Sequence, residues 1–132
     1  MQIRVYYEDT DAAGVVYHSN YLNYFERART EHLRDLGCSV AELAAGGAIF
    51  PVVRMEIDFR SPARHDDLLR VTTVTEQVGG SSFRLRQQVL READDRLLVE
   101  AVVTLACVSP ELKARRIPAL VRETLQAELS AR

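Results

Sequence analysis

The sequence predicts an α+β domain in which one long helix lies against a five-stranded antiparallel sheet. Three observations carry this. Residues 2–7 are rich in β-branched and aromatic types, residues 19–36 repeat their apolar positions every three or four, and from Ile49 the period falls to two. Strands grouped after a long helix, rather than alternating with helices, indicate segregated layers. With 132 residues there is room for one core. No internal repeat or linker interrupts the chain, so residues 1–132 are read as one domain.

Each element has its own signal. The run QIRVYY over 2–7 reads as a short strand. After a glycine-bearing loop, a helix is expected from Ser19 to Leu36, with Tyr21, Leu22, Phe25, Ala28, Leu33 and Leu36 on one face. Ser19 or Asn20 can cap its start, and Gly37 stands where a left-handed residue ends a helix. A short helix over Ser39–Ala45 should stop at Gly46-Gly47. Val53, Met55, Ile57 and Phe59 then alternate with Arg54, Glu56, Asp58 and Arg60, a strand with one wet face that Pro62 ends.

The next strand is expected over Leu68–Val78, joined by Gly79-Gly80, a turn that supplies positive φ, to another over Phe83–Arg91. Asp94-Asp95 marks the following turn. Leu97–Val108 is apolar apart from Glu100 and Thr104, as in a central strand buried on both faces. Pro118–Leu129 has a helical period with Pro118 in its first turn. A sheet with one covering helix leaves edges open, and pairing between copies is the natural remedy.

Composition removes several functions. The net charge of −2 is not the basic footprint of a nucleic-acid binder. No apolar run reaches the roughly 18–20 residues of a membrane-spanning helix, and the first residues enter a strand-like pattern without a leader. A cytoplasmic protein is expected. Cys38 and Cys107 lie far apart in apolar surroundings and read as reduced, buried thiols.

The chemistry is concentrated in Tyr7–Tyr21, YEDTDAAGVVYHSNY. A lone aspartate before a helix is ordinarily a turn or cap residue. Here Asp9 and Asp11 are joined by Gly14, which permits close backbone approach to a ligand, by His18 and by a helix start. Free N–H groups at that start carry partial positive charge and suit a developing oxyanion. A carbonyl resting on them, with Asp11 on its other side, is set for attack by the carboxylate or by water it activates. His18 sits where its N–H or ring could meet the carbonyl oxygen. All five tyrosines lie in the first 24 residues, mostly as packing, and Tyr7 could orient the acid.

This segment, continued by LNYFERARTEHLR, closely resembles the hotdog-fold acyl-CoA thioesterases of the 4-hydroxybenzoyl-CoA thioesterase type. It is most similar to their bacterial YbgC-like branch, associated with the Tol–Pal cell-envelope system. The likeness extends over nearly the whole chain and includes SPARHDDLLRVTT. The resemblance implies a five-stranded antiparallel sheet wrapped around the long helix, and hydrolysis of an acyl-CoA to a free acid and CoA. It puts the catalytic carboxylate on Asp11 and the carbonyl-polarising amide on His18, with the His18 side chain assisting and Tyr7 in support. It also implies a homodimer or homotetramer with active sites at subunit interfaces.

No glycine-rich phosphate loop is present, so arginines would have to meet the CoA phosphates. Arg60 and Arg64, Arg84 and Arg86, and the run Lys113, Arg115, Arg116 are candidates, and the last is preferred. Gly14 and Tyr17 complete the expected substrate contacts. His18, His32 and His65 are too scattered for a metal, no cofactor is expected, and no G-x-S-x-G elbow is present. Two other readings stay open: a thioesterase acting on an acyl-carrier protein, and a non-catalytic acyl-binding or scaffolding subunit.

Overall fold

The computed structural model describes residues 1–131. Its elements are β1 (Gln2–Arg4), a 3₁₀ turn (Tyr7–Asp9), α1 (Asn20–Asp35), α2 (Val40–Ala45), β2 (Val52–Phe59), β3 (Leu68–Val78), β4 (Ser82–Arg91), β5 (Arg96–Ala106) and α3 (Ala119–Ser130). The strands form one sheet in the order β1-β3-β4-β5-β2, with every neighbouring pair antiparallel. The expected first strand is therefore cut short. Val5 still exchanges bonds with Asp66 and Asp67, but the Tyr6 amide donates to the Asp9 carboxylate at 2.9 Å and closes the turn.

Period-two patterning sets the sheet's two faces. Phe83, Leu85, Gln87 and Val89 on β4, with Ala101, Val103 and Leu105 on β5, are buried beneath Tyr24, Phe25, Ala28 and Leu33 of α1. The other face carries charge. Glu76 accepts from Arg86 at 2.8 Å and Arg84 at 3.1 Å, while Glu100 pairs with Arg86 and, at 3.6 Å, with Arg60. The Arg86 guanidinium holds the Glu76 carboxyl below the usual carboxylate range. Double-sided burial of β5 is thus corrected: Glu100, Val102 and Thr104 stay half-exposed, because helices cover only one side of the sheet.

Three turn expectations meet different outcomes. Gly37 (φ +89°) takes the expected left-handed backbone, and the turn expected at Asp94-Asp95 forms with Asp95 at φ +57°. Gly79 and Gly80 do not, although the link between β3 and β4 is there. Space explains the first of them, since a Cβ at Gly79 would press to 3.1 Å from the Ser82 carbonyl oxygen. Pro118 precedes α3 as its cap residue instead of lying in the first turn. Both cysteines are free and buried, and the Cys107 thiol is pushed up by burial.

One edge is closed within the chain. β1 pairs with β3 only over residues 68–70. Farther along, at the β-bulge between Thr75 and Gln77, the Thr75 amide donates to Glu128 of α3 at 3.0 Å. The other Glu128 oxygen lies 2.8 Å from His32 Nε2, which joins α3 to the end of α1. The opposite edge, β2, pairs only with β5 and leaves Val52, Val53 and Phe59 exposed.

A polar knot lies inside this core. Arg29 of α1 is buried and donates to Gln87 Oε1 at 3.1 Å, while Gln87 Nε2 donates to the Phe25 carbonyl and to Thr73 Oγ1, both at 3.0 Å. No described carboxylate pairs with Arg29, and burial lowers its pKa from the ordinary arginine value. Gln87→Leu leaves a buried cation without its acceptor and is expected to cost about 3 kcal/mol in denaturant unfolding. Arg29→Met combined with Gln87→Leu should recover a large part of that loss. A double variant less stable than Gln87→Leu alone would contradict this.

Candidate active site

Between β1 and α1 the chain folds into a small hairpin. Thr10 bridges Val16, Val15 bridges Arg64, and the Asp11 amide donates to the Val15 carbonyl at 2.9 Å. Gly14 lies near its tip with φ +78°, a conformation that side chains with a Cβ resist. A Cβ there would meet no heavy atom within 4 Å. The requirement for glycine inside this chain is therefore conformational, not steric.

The two aspartates do different work. Asp9 faces inward: its carboxylate receives the Tyr6 amide, and its backbone carbonyl receives both the Tyr17 amide and Asn20 Nδ2 at 2.9 Å. Asp11 is exposed. Its Oδ1 accepts the Ala13 amide at 2.9 Å, and its Oδ2 has no described partner. One oxygen is anchored and the other is available to a ligand or water. Of the two aspartates, only Asp11 lines the cavity that holds His18.

The start of α1 is left open. Ser19 is the cap residue, but its side chain makes no capping bond, contrary to the sequence expectation, and Asn20 turns its side chain back to Asp9. The amides of His18 and Ser19 donate to no described group. Uncapped donors here, with the helix dipole behind them, form a site for negative charge. Asp9 holds residues 17 and 20, on either side of these two amides. The His18 ring is placed by aromatic contacts, 4.6 Å from Tyr17 and 6.4 Å from Phe59 between centroids, and its nitrogens have no described hydrogen bond.

Asp11 and His18 share a cavity of about 330 Å³ with Val15, Val16, Tyr21 and residues 59–62. Nothing in the sequence marks residues 59–62 as part of the site, although Arg60 is among its candidate phosphate contacts. A register shift in β5 opposite Val89 and Leu90 makes the site's wall: the Leu98 carbonyl accepts from both Arg60 at 2.8 Å and Ser61 at 3.1 Å. Such a bulge bends a strand end, and Pro62 was the one signal of a corner. Tyr21 ties the wall down, its phenol oxygen accepting the Ala63 amide at 3.2 Å while Val16 donates to the Ala63 carbonyl at 2.8 Å.

The remaining expected residues lie outside this cavity. Tyr7 is 81% exposed and stands edge-on to His65, with no contact to Asp11. Tyr17 borders the site only through His18. Arg115 lines a separate hollow beside Gly47, and Arg116 a third beside Gly80.

An antiparallel sheet wrapped around one long helix defines a hotdog-fold protein. The chain belongs to the thioesterase-like superfamily, whose match spans residues 5–128. It is 44% identical over 117 residues to the acyl-CoA thioester hydrolase YbgC of Escherichia coli O6:H1, covering 88% of this chain and 87% of that one. Among solved structures, a probable thioesterase from Bartonella henselae matches with TM-score 0.85 and 43% identity, covering 89% of this chain and 97% of that one. A 1,4-dihydroxy-2-naphthoyl-CoA thioesterase from Synechocystis matches with TM-score 0.88 and 27% identity, over 96% and 93%.

The Asp9 environment has a spectroscopic consequence. Burial, followed by the neighbouring Asp9 carboxylate, raises the pKa of Tyr24, and burial also raises that of Tyr21. A raised folded-state value favours the neutral phenol. That stabilisation is complete below the ordinary tyrosine pKa and fades as pH climbs through the folded value. In an ultraviolet titration, two of the five tyrosines should ionise late, and Asp9→Asn should bring one of them down. Five unshifted phenols would contradict the packing described.

Proposed function

We propose that the protein is an acyl-CoA thioesterase, hydrolysing the thioester to a carboxylic acid and CoA. The observation that carries this is the pairing, in one cavity, of Asp11, whose Oδ2 has no described partner, with His18 at the start of α1, whose amide, like that of Ser19 next to it, donates to no described group. Named relatives of high identity with acyl-CoA thioester hydrolase activity support the same reading.

The thioester carbonyl oxygen rests on the helix-start amides, which polarise it. Attack on the carbonyl carbon comes from Asp11 itself, giving a mixed anhydride that water then opens, or from water deprotonated by Asp11. In both routes negative charge grows on the oxygen held by the amides, the carbon–sulfur bond breaks, and the CoA thiolate leaves and takes up a proton. The amides are fixed before charge appears, which is the condition for strong electrostatic stabilisation. The His18 side chain assists as a wall, and its backbone supplies the donor. Tyr7 supports the hairpin base through its carbonyl, which accepts from the Thr10 hydroxyl at 2.7 Å and the Thr10 amide at 3.1 Å.

The working unit is a homodimer joined along β2. That edge carries exposed Val52, Val53 and Phe59, and Phe59 is also a wall of the cavity, so a second copy would cover the edge and shield the site together. No described helix is long and apolar enough to cross a membrane, and a cytoplasmic setting suits a CoA-dependent hydrolase.

Asp11→Asn keeps the anchoring acceptor for Ala13 and removes the reactive carboxylate. It is expected to lower kcat/KM for acyl-CoA hydrolysis by about 10²–10⁴ without shifting Tm, measured by free-thiol release over short aliphatic, aromatic and long-chain thioesters. Unchanged turnover in the variant, or no turnover by the wild type on any of them, would overturn the proposal.

A further inference from the structure

The open amides at the start of α1 sit inside a closed bracket of hydrogen bonds. The Tyr17 amide and Asn20 Nδ2 both donate to the Asp9 carbonyl at 2.9 Å, and the Asn20 amide donates to the Tyr17 carbonyl at 2.8 Å. These three bonds tie the residues on either side of His18 and Ser19 to each other and to one oxygen. The two amides in between are the ones with no described acceptor.

One side chain closes the bracket. The neighbouring side-chain bonds are local: Asp9 to the Tyr6 amide, Thr10 to the Tyr7 carbonyl and Asp11 to the Ala13 amide each span two or three positions. Asn20 reaches back eleven, from the first residue of α1 to the residue that leads into the Asp11 hairpin. Helix propensity does not call for asparagine there. Asparagine is favoured at the cap, and acids suit the first turn, where the dipole is positive. Asn20 is half-buried and uses an N–H on a carbonyl outside the helix. An aspartate of the same shape has no such donor, and an alanine does not reach.

We propose that Asn20 is a positioning residue for the thioester carbonyl, holding the His18 and Ser19 amides in place relative to Asp11. It does not itself line the Asp11 cavity. The assignment rests on the thioesterase reading and adds the side chain that sets the geometry of the donors. Without Asn20 the Tyr17 bond to Asp9 remains, so the fold persists while the far end of the bracket is released. Donors of this kind act because they are in place before charge appears, and a displacement of about 1 Å can cost on the order of a hundred-fold in rate.

The test compares the wild type with Asn20→Ala and Ser39→Ala. Ser39 caps α2 through the Glu42 amide and lies outside the Asp11 cavity, so its loss serves as a stability control. In free-thiol release, Asn20→Ala should lower kcat about ten- to a hundred-fold with KM within about two-fold of wild type, while Ser39→Ala keeps both. Hydrogen exchange at the Tyr17 amide, followed by NMR, should quicken at least about ten-fold in Asn20→Ala and not in Ser39→Ala. A wild-type kcat in Asn20→Ala, a loss carried by KM alone, or an unchanged Tyr17 amide would overturn the assignment. If the wild type hydrolyses no acyl-CoA, the thioesterase reading falls, and the Tyr17 amide alone decides whether Asn20 holds the bracket.

Discussion

Everything the site does depends on one backbone carbonyl. The Asp9 oxygen accepts from Tyr17 and from the Asn20 side chain, so the strand-like approach and the first residue of α1 are pinned to the same atom. Between them lie the amides of His18 and Ser19. Ser19 makes no side-chain capping bond and Asn20 turns its side chain back to Asp9, so the helix forgoes the roughly 1 kcal/mol that a cap contributes. The fold gives up local helix stability at the point where open donors are useful.

The same trade appears in the surrounding layers. The sheet's buried face includes Gln87, whose amide serves the α1 carbonyl of Phe25 and the guanidinium of Arg29. This polar knot fixes how α1 lies on β4, and with it the direction in which the helix start points. The bulge at Leu98 then turns residues 60–62 to face that start. α3 seals the β3 edge through Glu128 and leaves β2 as the free edge, on the side where the cavity opens.

Much of this was legible in the sequence because it is periodic. Three- and four-residue spacing revealed α1, and alternation revealed β2, β3 and β4, since burial on one face imposes those patterns directly. The grouping of Asp11 with His18 in one cavity was legible because acids, glycine and helix start are close in sequence. The apolar run of β5 misled, because a strand can be rich in apolar residues while its outer positions, Glu100 and Thr104, take part in a half-wet surface. The turn at Gly79-Gly80 misled too, because neither glycine has positive φ and only Gly79 is needed, for space beside the Ser82 carbonyl.

What sequence could not supply was assembly across distance. Phe59 and Pro62 are about fifty residues from Asp11, and only the β2–β5 register and the Leu98 bulge bring them to it. Arg115 and Arg116, adjacent in sequence, diverge into different hollows. The most direct measurement is a crystal structure of the Asp11→Asn variant with uncleaved acyl-CoA bound. The thioester oxygen should accept from the amides of His18 and Ser19, with its carbonyl carbon facing residue 11. A thioester held elsewhere, with those amides bonded only to water, would contradict the account.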